Sequence, residues 1–342
     1  MCPVTMMTRP VYLSGIGQAL GSRLLTNSEL SALTGLKETA IHDLTGIDTR
    51  SYAPFENEID LAVQAATDLF SRIGGKKTPD LLLLATTTPS SPVPPTAMKV
   101  LARLFPGVAP SPPAMDIGGS CAAFLTGLFV AKAYIGSGAF QEILLINTEK
   151  KTRHVCPEHS PETALLFGDA ATAVWLSGSD STEKADRSRR LPLHVRSVRI
   201  GANGTLAPLI TYAKDKVSDR KILRMDGPSL FRKAVLTLSK EIEKELDHHS
   251  LTIDRVEAFV LHQANGRILD GVARKIGVPS SQIPRTIDVH GNTSSASLGI
   301  TLNRFLSKNG PRPLSGPLLL GAIGGGITWG VALLSDTPPD GL

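Results

Sequence analysis

Cysteine is scarce in this chain: Cys2, Cys121 and Cys156 are the only three, too few for a disulfide framework. A reducing compartment follows, and the cytoplasm is the expected location. Aromatic residues make up only 5%, and no tract interleaves them with basic side chains. The formal charge of +5 therefore does not read as a nucleic-acid surface. A modest basic patch for an acidic protein or a phosphorylated cofactor accounts for it as well. The opening MCPVTMMTRP has no apolar core of a secretory signal. Long apolar runs are nearly missing too. The one candidate, Pro317 to Leu334, carries no charge, but Gly321, Gly324, Gly325, Gly326 and Gly330 interrupt it. Adjacent glycines suit a turn between buried strands better than a membrane helix, so no membrane partner is expected.

What is present is an alternation of apolar runs and amphipathic stretches. DLLLLATTT suits a strand buried on both faces, and IDLAVQAATDLFSRI has apolar residues at helical spacing. LTNSELSAL starts a helix with Asn27 or Ser28 as N-cap. PAMDIG, EILLINTE and AATAVWLSG read as strands around a helix that follows Cys121. The polar tract 179–192 reads as a linker between an N-terminal unit, 1–178, and a C-terminal unit, 193–342. Beyond it the pattern restarts with strands HVRSVRI, AFVLHQ and RTIDV between helices. Alternating elements of this kind predict an α/β protein of two duplicated halves with largely parallel sheets.

Three positions carry chemistry-bearing residues where a strand gives way to a helix. Cys121 in MDIGGSCAAF stands at a helix N-terminus, where the macrodipole favours a thiolate, although a small buried thiol also serves as packing. His262 in FVLHQANGRIL ends a buried strand, the edge at which crevices open in α/β sheets, but a hydrogen-bonded structural histidine fits there too. Asn292 in DVHGNTSSAS lies in a turn that Gly and Asn favour for conformational reasons alone. His154, Cys156 and His159 sit close together in RHVCPEHS, yet no second cluster completes a tetrahedral set, so no metal site is expected.

Taken together, DIGGSCAAF, GDAATAVWL, LHQANGRI, HGNTSSAS, GGGITWG and TGIDTR occur in one order along nearly the whole chain. In this the sequence resembles the β-ketoacyl-acyl-carrier-protein synthase III family. The resemblance implies a thiolase-like fold, a layered α-β-α-β-α sandwich, and a homodimer. It implies that Cys121 takes an acyl group from a thioester, with the backbone N–H groups of Cys121 and Gly325 as oxyanion hole. His262 and Asn292 would then stabilise the enolate that forms as malonyl-acyl-carrier protein loses carbon dioxide. No cofactor is implied; an acyl-coenzyme A and malonyl-acyl-carrier protein are substrates. Arg232, Arg267, Arg274 and Lys275 match positions that contact the carrier protein, although each alone reads equally as a solvated helix face.

The sequence also departs from familiar members. An aromatic and two arginines that grip the adenine end of coenzyme A are replaced by Ala40, Leu44 and Pro161, and Ile323 precedes the triple glycine where relatives often carry phenylalanine. Val93 stands where a bulky aromatic limits chain length. Ser90, Arg153 and Ser294 match positions that hold a free carboxylate in the BioZ-type synthases of biotin biosynthesis. This resemblance implies a glutaryl primer and a 3-oxopimeloyl-acyl-carrier-protein product. Alternatives remain: Arg153 pairs at the surface with Glu149, Glu158 or solvent, the enzyme starts fatty acid or polyketide synthesis from a short primer, or it transfers acyl groups without forming a carbon–carbon bond.

Overall fold

The computed structural model describes residues 9–179, 186, 188, 191–215 and 221–336. Cys2 and most of the expected linker 179–192 lie outside the described residues. In chain order the N-terminal part runs β1 (Tyr12–Leu20), β2 (Arg23–Thr26), α1 (Asn27–Thr34), α2 (Glu38–Thr45), β3 (Thr49–Tyr52), α3 (Glu58–Arg72) and β4 (Leu81–Ala85). It continues α4 (Thr96–Leu104), β5 (Ala114–Ile117), α5 (Ala123–Gly136), β6 (Glu142–Lys150), α6 (Pro161–Ala164) and β7 (Asp169–Ser177). The C-terminal part runs β8 (Leu193–Ala202), β9 (Ile210–Lys214), β10 (Lys221–Met225), α7 (Gly227–His248), β11 (Ala258–Leu261) and α8 (Gly266–Ile276). It closes with α9 (Ile287–His290), α10 (Ser297–Asn309), β12 (Leu318–Gly324) and β13 (Thr328–Ser335).

Nine strands hydrogen-bond into one sheet in the order β11-β12-β13-β8-β1-β7-β6-β4-β5. From its centre outward each half repeats one plan: first strand, last strand, penultimate strand, second strand. The sheet is mixed rather than largely parallel, because β7 runs antiparallel to β1 and β6, and β13 antiparallel to β8 and β12. The restart predicted from sequence also differs in one element. RTIDV is not a strand; residues Ile287–His290 make a helical turn. Its polar backbone is satisfied from elsewhere: Gln263 Oε1 accepts from Thr286 N and Ile287 N, and the Val289 and Asp288 carbonyls accept from Thr49 Oγ1 and Asp48 N. With those groups already paired, nothing is left for a ladder.

Strand alternation sorts side chains into three cores. Leu81, Leu83, Ile143 and Leu145 join Ala258, Val260, Leu318 and Leu320 in a central core that also takes Phe124 and Leu128 of α5 and Leu298 and Leu302 of α10. Their neighbours in sequence point the other way. Leu82, Leu84, Leu144 and Ile146 pack with α3 and α4, while Phe259, Leu261, Leu319 and Leu333 pack with α7 and α8. The central helices thus lie between the two halves of the sheet, with a helical layer outside each, which is the α-β-α-β-α arrangement. The candidate membrane run is the β12–β13 pair, and among the described residues no helix is long and apolar enough to cross a membrane.

The N-cap of α1 is Thr26 rather than Asn27 or Ser28: Thr26 Oγ1 accepts from Glu29 N, and Glu29 Oε2 from Thr26 N. Asn27 is thereby released to bond the Ile47 carbonyl and to accept from Arg50 Nη1. Arg50 is fully buried, and its Nε and Nη2 donate to the Leu165 carbonyl at 2.9 and 2.6 Å. This guanidinium pins the segment before β7, whose Leu166 carbonyl in turn accepts from Asn292 N at 2.8 Å. Replacing Arg50 by Met leaves Leu165 O and Asn27 Oδ1 without their donor and is expected to cost about 2–4 kcal/mol. Thermal or denaturant unfolding of the variant measures the loss.

Candidate active site

The two central helices begin at the same place in the molecule. Gly119, at φ 137°, and Ser120, at φ 53°, turn the chain after β5 into a short 3-10 turn, Ser120–Ala122, that leads into α5. In the other half Ser294, also at φ 53°, opens the turn Ser294–Ala296 that leads into α10. Cys121 and Ser294 meet across this junction, Sγ to Oγ 3.4 Å. Ser294 Oγ donates onward to Glu149 Oε1 at 3.2 Å. Glu149, fully buried at the end of β6, receives five donors: Thr87 N, Thr87 Oγ1, Thr88 Oγ1, Ser294 Oγ and Ser295 Oγ.

His262 follows β11 and is buried. Its Nδ1 lies 2.6 Å from Ser297 Oγ, which itself accepts from Gln263 N at 3.2 Å. With its oxygen accepting from Gln263 N, the Ser297 hydroxyl is able to donate to Nδ1, an arrangement that places the imidazole proton on Nε2. Burial, with the Lys151 charge adding to it, lowers the His262 pKa to about 3, so the ring is neutral at ordinary pH. Asn292 is fixed at both ends of its amide. Oδ1 accepts from Ser294 N at 2.8 Å and Nδ2 donates to the Ala264 carbonyl at 3.2 Å, which leaves one amide proton for a ligand.

Cys121, His262 and Asn292 line a single narrow chamber, with Leu166, Phe167, Ile323 and Gly324 among its other walls. A Cβ on Gly324 would lie 2.6 Å from Cys121 N, so only glycine lets β12 come this close to the start of the helix. The triple glycine gave no means to choose among its members. The residue at closest approach is Gly324, while Gly325 N donates to Ser120 Oγ at 3.1 Å. The chamber opens through Leu166, Met225, Gly227, Phe231 and Asn265 into a vestibule of about 900 Å³. Leu44, Glu162, Arg267 and Arg274 line that vestibule, so the side built by α2 and α6 offers neither an aromatic plane nor a guanidinium. Arg232 and Lys275 are exposed on α7 and α8.

Ser90, Arg153 and Val93 are not among the chamber's walls. Arg153 Nη2 pairs with Glu58 Oε2 at 2.8 Å and Nη1 with the Thr88 carbonyl, and Ser90 N donates to the other oxygen of the same buried Glu58. Val93 is 78% exposed in the loop before α4. Ser294 is engaged by Cys121 and Glu149. The histidine-rich loop is spread out: His159 Nδ1 meets Asp215, Cys156 Sγ meets Glu158, and the His154 ring packs on Tyr212. Among the described residues no group of His, Cys, Asp or Glu is placed to hold a metal. Sequence reading gave Glu149, Lys151, Ser297, Gly324 and Glu58 no role at the site. The only signal for Ser297 was its place five residues after Asn292, and Glu58 acts 95 residues from Arg153.

A thiol at a helix start between two converging halves, beside a neutral imidazole and an oriented amide, defines an acyl-transferring enzyme of thiolase-like fold. Comparison with known proteins makes this specific. Profiles of the 3-oxoacyl-[acyl-carrier-protein] synthase III family match residues 115–195, and those of its C-terminal part match residues 246–335. The chain is 36% identical over 334 residues to the β-ketoacyl-[acyl-carrier-protein] synthase III of Hyphomonas neptunium, covering 96% of this chain and 99% of that one. It is 32% identical to the enzyme of the same name from Streptococcus pneumoniae, over 94% of this chain and 98% of the relative. The crystal structure of 3-oxoacyl-[acyl-carrier-protein] synthase III from Aquifex aeolicus superposes with a TM-score of 0.85 at 30% identity, covering 95% and 99% of the two chains. The chain belongs to the β-ketoacyl-[acyl-carrier-protein] synthase III family, and it is a condensing acyltransferase.

The neutral histidine has a consequence for acid stability. In the unfolded chain the ring takes its proton at its ordinary value of 6.5, whereas in the fold it does so only near pH 3. This site therefore removes stability as pH falls from 6.5 towards 3, because the unfolded state binds the extra proton. His262→Gln is expected to flatten that part of the stability–pH curve, as read by urea midpoints at pH 7 and pH 5.

Proposed function

We propose that this protein lengthens an acyl chain by decarboxylating condensation: an acyl group carried on Cys121 is joined to the two carbons that remain when a malonyl group loses carbon dioxide. The observation that carries the reading is the common chamber of Cys121, His262 and Asn292, with the amide of Asn292 locked by Ser294 N and Ala264 O. In the first half-reaction the Cys121 thiolate adds to the donor thioester, the carrier thiol leaves, and an acyl-cysteine remains. On this reading the donor's oxyanion forms beside the helix start and accepts from the Cys121 N–H; Gly325 N–H is held by Ser120 Oγ and joins only if that bond opens.

In the second half-reaction the malonyl thioester oxygen accepts from His262 Nε2–H and Asn292 Nδ2–H. As the carboxylate leaves as carbon dioxide, its bonding pair becomes the enolate, whose charge these two neutral donors stabilise. The enolate carbon attacks the acyl-cysteine and expels the Cys121 thiolate, giving the 3-oxoacyl product. Overall the two half-reactions neither take up nor release electrons, so the chemistry calls for no redox cofactor. The need for a reduced Cys121 supports a cytoplasmic site of action.

The malonyl group is delivered, on this reading, by acyl-carrier protein. Arg267 and Arg274 at the vestibule, with exposed Arg232 and Lys275 on the same pair of packed helices, offer positive charge to an acidic carrier. The homodimer is part of the same reading: β5 is an edge strand, and Val93, Met98 and Phe129 expose apolar surface near it. The finer assignment, a glutaryl primer leading to 3-oxopimeloyl-acyl-carrier protein for biotin, rests on the resemblance. Ser90 and Arg153 pair with Glu58 in this fold, so on this reading a carboxylated primer would compete with Glu58 for them. Simple acyl transfer without carbon–carbon bond formation leaves the oriented Asn292 amide without a task.

Intact-protein mass spectrometry after incubation with an acyl thioester is expected to show one acyl group on wild type and none on Cys121→Ala. Adding malonyl-acyl-carrier protein then releases a product two carbons longer than the primer. A product of unchanged length would establish simple transfer. Asn292→Ala is expected to keep acylation and to lose condensation by about 10²–10³-fold.

A further inference from the structure

The reaction makes the Cys121 sulfur an anion twice, once as it attacks the donor thioester and again as the enolate expels it. The start of α5 favours that anion through its dipole, but a buried thiolate also calls for a hydrogen bond. Among the described residues Ser294 Oγ, at 3.4 Å, is the one hydrogen-bond partner of the sulfur. His262 shares the chamber, yet its Nδ1 faces Ser297 and burial lowers its pKa to about 3. The imidazole therefore brings no positive charge to the sulfur.

Ser294 is placed for this duty by its backbone. It is fully buried and sits at φ 53°, a left-handed conformation that a serine adopts only at a cost. Its N–H donates to Asn292 Oδ1 at 2.8 Å, which fixes the turn, and its hydroxyl lies between the sulfur and Glu149 Oε1. A hydroxyl has one proton and cannot donate to both. Beside a neutral thiol, Oγ accepts from S–H and donates to Glu149 at 3.2 Å. Beside a thiolate, the hydroxyl turns to the sulfur. Glu149 tolerates the loss: Oε1 keeps the shorter bond from Ser295 Oγ, 2.7 Å, and Oε2 keeps Thr87 N, Thr87 Oγ1 and Thr88 Oγ1. One of five donors is thus free to be shared.

We infer that Ser294 is a catalytic residue: its hydroxyl donates to the Cys121 sulfur whenever that atom carries negative charge, and returns to Glu149 when the sulfur is protonated or acylated. The inference rests on the acyl-cysteine reading above and adds a residue to it. No bond to Oγ is made or broken. The proton that Cys121 gives up on acylation ends on the departing carrier thiol, and the proton that restores the thiol after condensation comes from solvent. The role needs no carboxylate on the acyl chain, which separates it from the task that the resemblance implies for Ser294. One turn then serves the enolate oxygen with the Asn292 amide and the sulfur with the Ser294 hydroxyl.

The test follows the rate of Cys121 alkylation by iodoacetamide against pH, with no acyl donor present and the modified residue identified by peptide mass. Ser294→Gly removes the hydroxyl while suiting the left-handed backbone, so it is expected to keep or raise the urea midpoint. The alkylation inflection is expected to move up by about one pH unit or more in Ser294→Gly and in Ser294→Ala. Ser295→Ala takes a donor from Glu149 and none from the sulfur, and is expected to move the inflection less than half as far. Acylation of Ser294→Gly by an acetyl thioester is expected to fall about tenfold at neutral pH and to recover towards the wild-type rate above the raised inflection. An unchanged inflection in Ser294→Gly overturns the inference. So does an equal shift in Ser295→Ala, which assigns the effect to Glu149. Failure of wild type to take any acyl group, with the alkylation shift intact, overturns the acyl-cysteine reading and the catalytic role with it.

Discussion

The absence of a side chain at residue 324 is the constraint on which the site depends. β12 belongs to the C-terminal half and Cys121 to the N-terminal half, and a Cβ at residue 324 would sit 2.6 Å from Cys121 N and 3.0 Å from Ala122 N. Only with that space empty can the strand close on the start of α5. Once it closes, β11, which pairs in parallel with β12, delivers His262 to the same spot through the bond from His262 N to the Gly321 carbonyl. The central helices then start side by side, and Ser294 meets the thiol. Duplication of the half explains why two strained serines, Ser120 and Ser294, stand at corresponding turns. One turn carries the nucleophile and the other carries the residues that hold it.

Buried charge is handled differently at each position. Glu149 is neutralised by dipoles, with hydroxyl and amide donors on both oxygens. Glu58 is neutralised by an ion pair to Arg153 and by Ser90 N. Arg50 spends its guanidinium on a carbonyl and an amide oxygen, and burial lowers its pKa to about 10. These three are complete without a ligand and hold loops to strands. Lys151 is held against the rings of Phe167 and Tyr212, and despite its burial Glu149, Tyr212 and Cys121 raise its pKa, so it keeps its charge near Cys121 and His262.

The chemistry was legible in sequence because each reacting residue sits in a short segment whose turn grammar is local. Gly118 and Gly119 before Cys121, the strand before His262 and the Gly-Asn pair at Asn292 all carry their own signals. Pairing direction was not legible: an apolar run such as β7, buried on both faces, has the same composition whether its neighbours run parallel or antiparallel. Nor was the helical turn at Ile287–His290, since the Gln263 and Thr49 side chains that satisfy it come from distant segments. The Glu58 contact of Arg153 and Ser90 was not legible for the same reason, since Glu58 stands 95 residues before Arg153.

A neutral imidazole completes the logic of the chamber. Were His262 protonated, it would hold the departing carboxylate of a malonyl group as an ion pair and oppose the loss of carbon dioxide. Burial and the nearby Lys151 charge both drive its pKa down, and the Ser297 hydroxyl at Nδ1 can donate there, which suits a single proton on Nε2. The result is a donor strong enough for an enolate oxygen and too weak a charge to retain a carboxylate. By repulsion the buried Lys151 cation adds to burial in keeping the histidine in the state that decarboxylation requires.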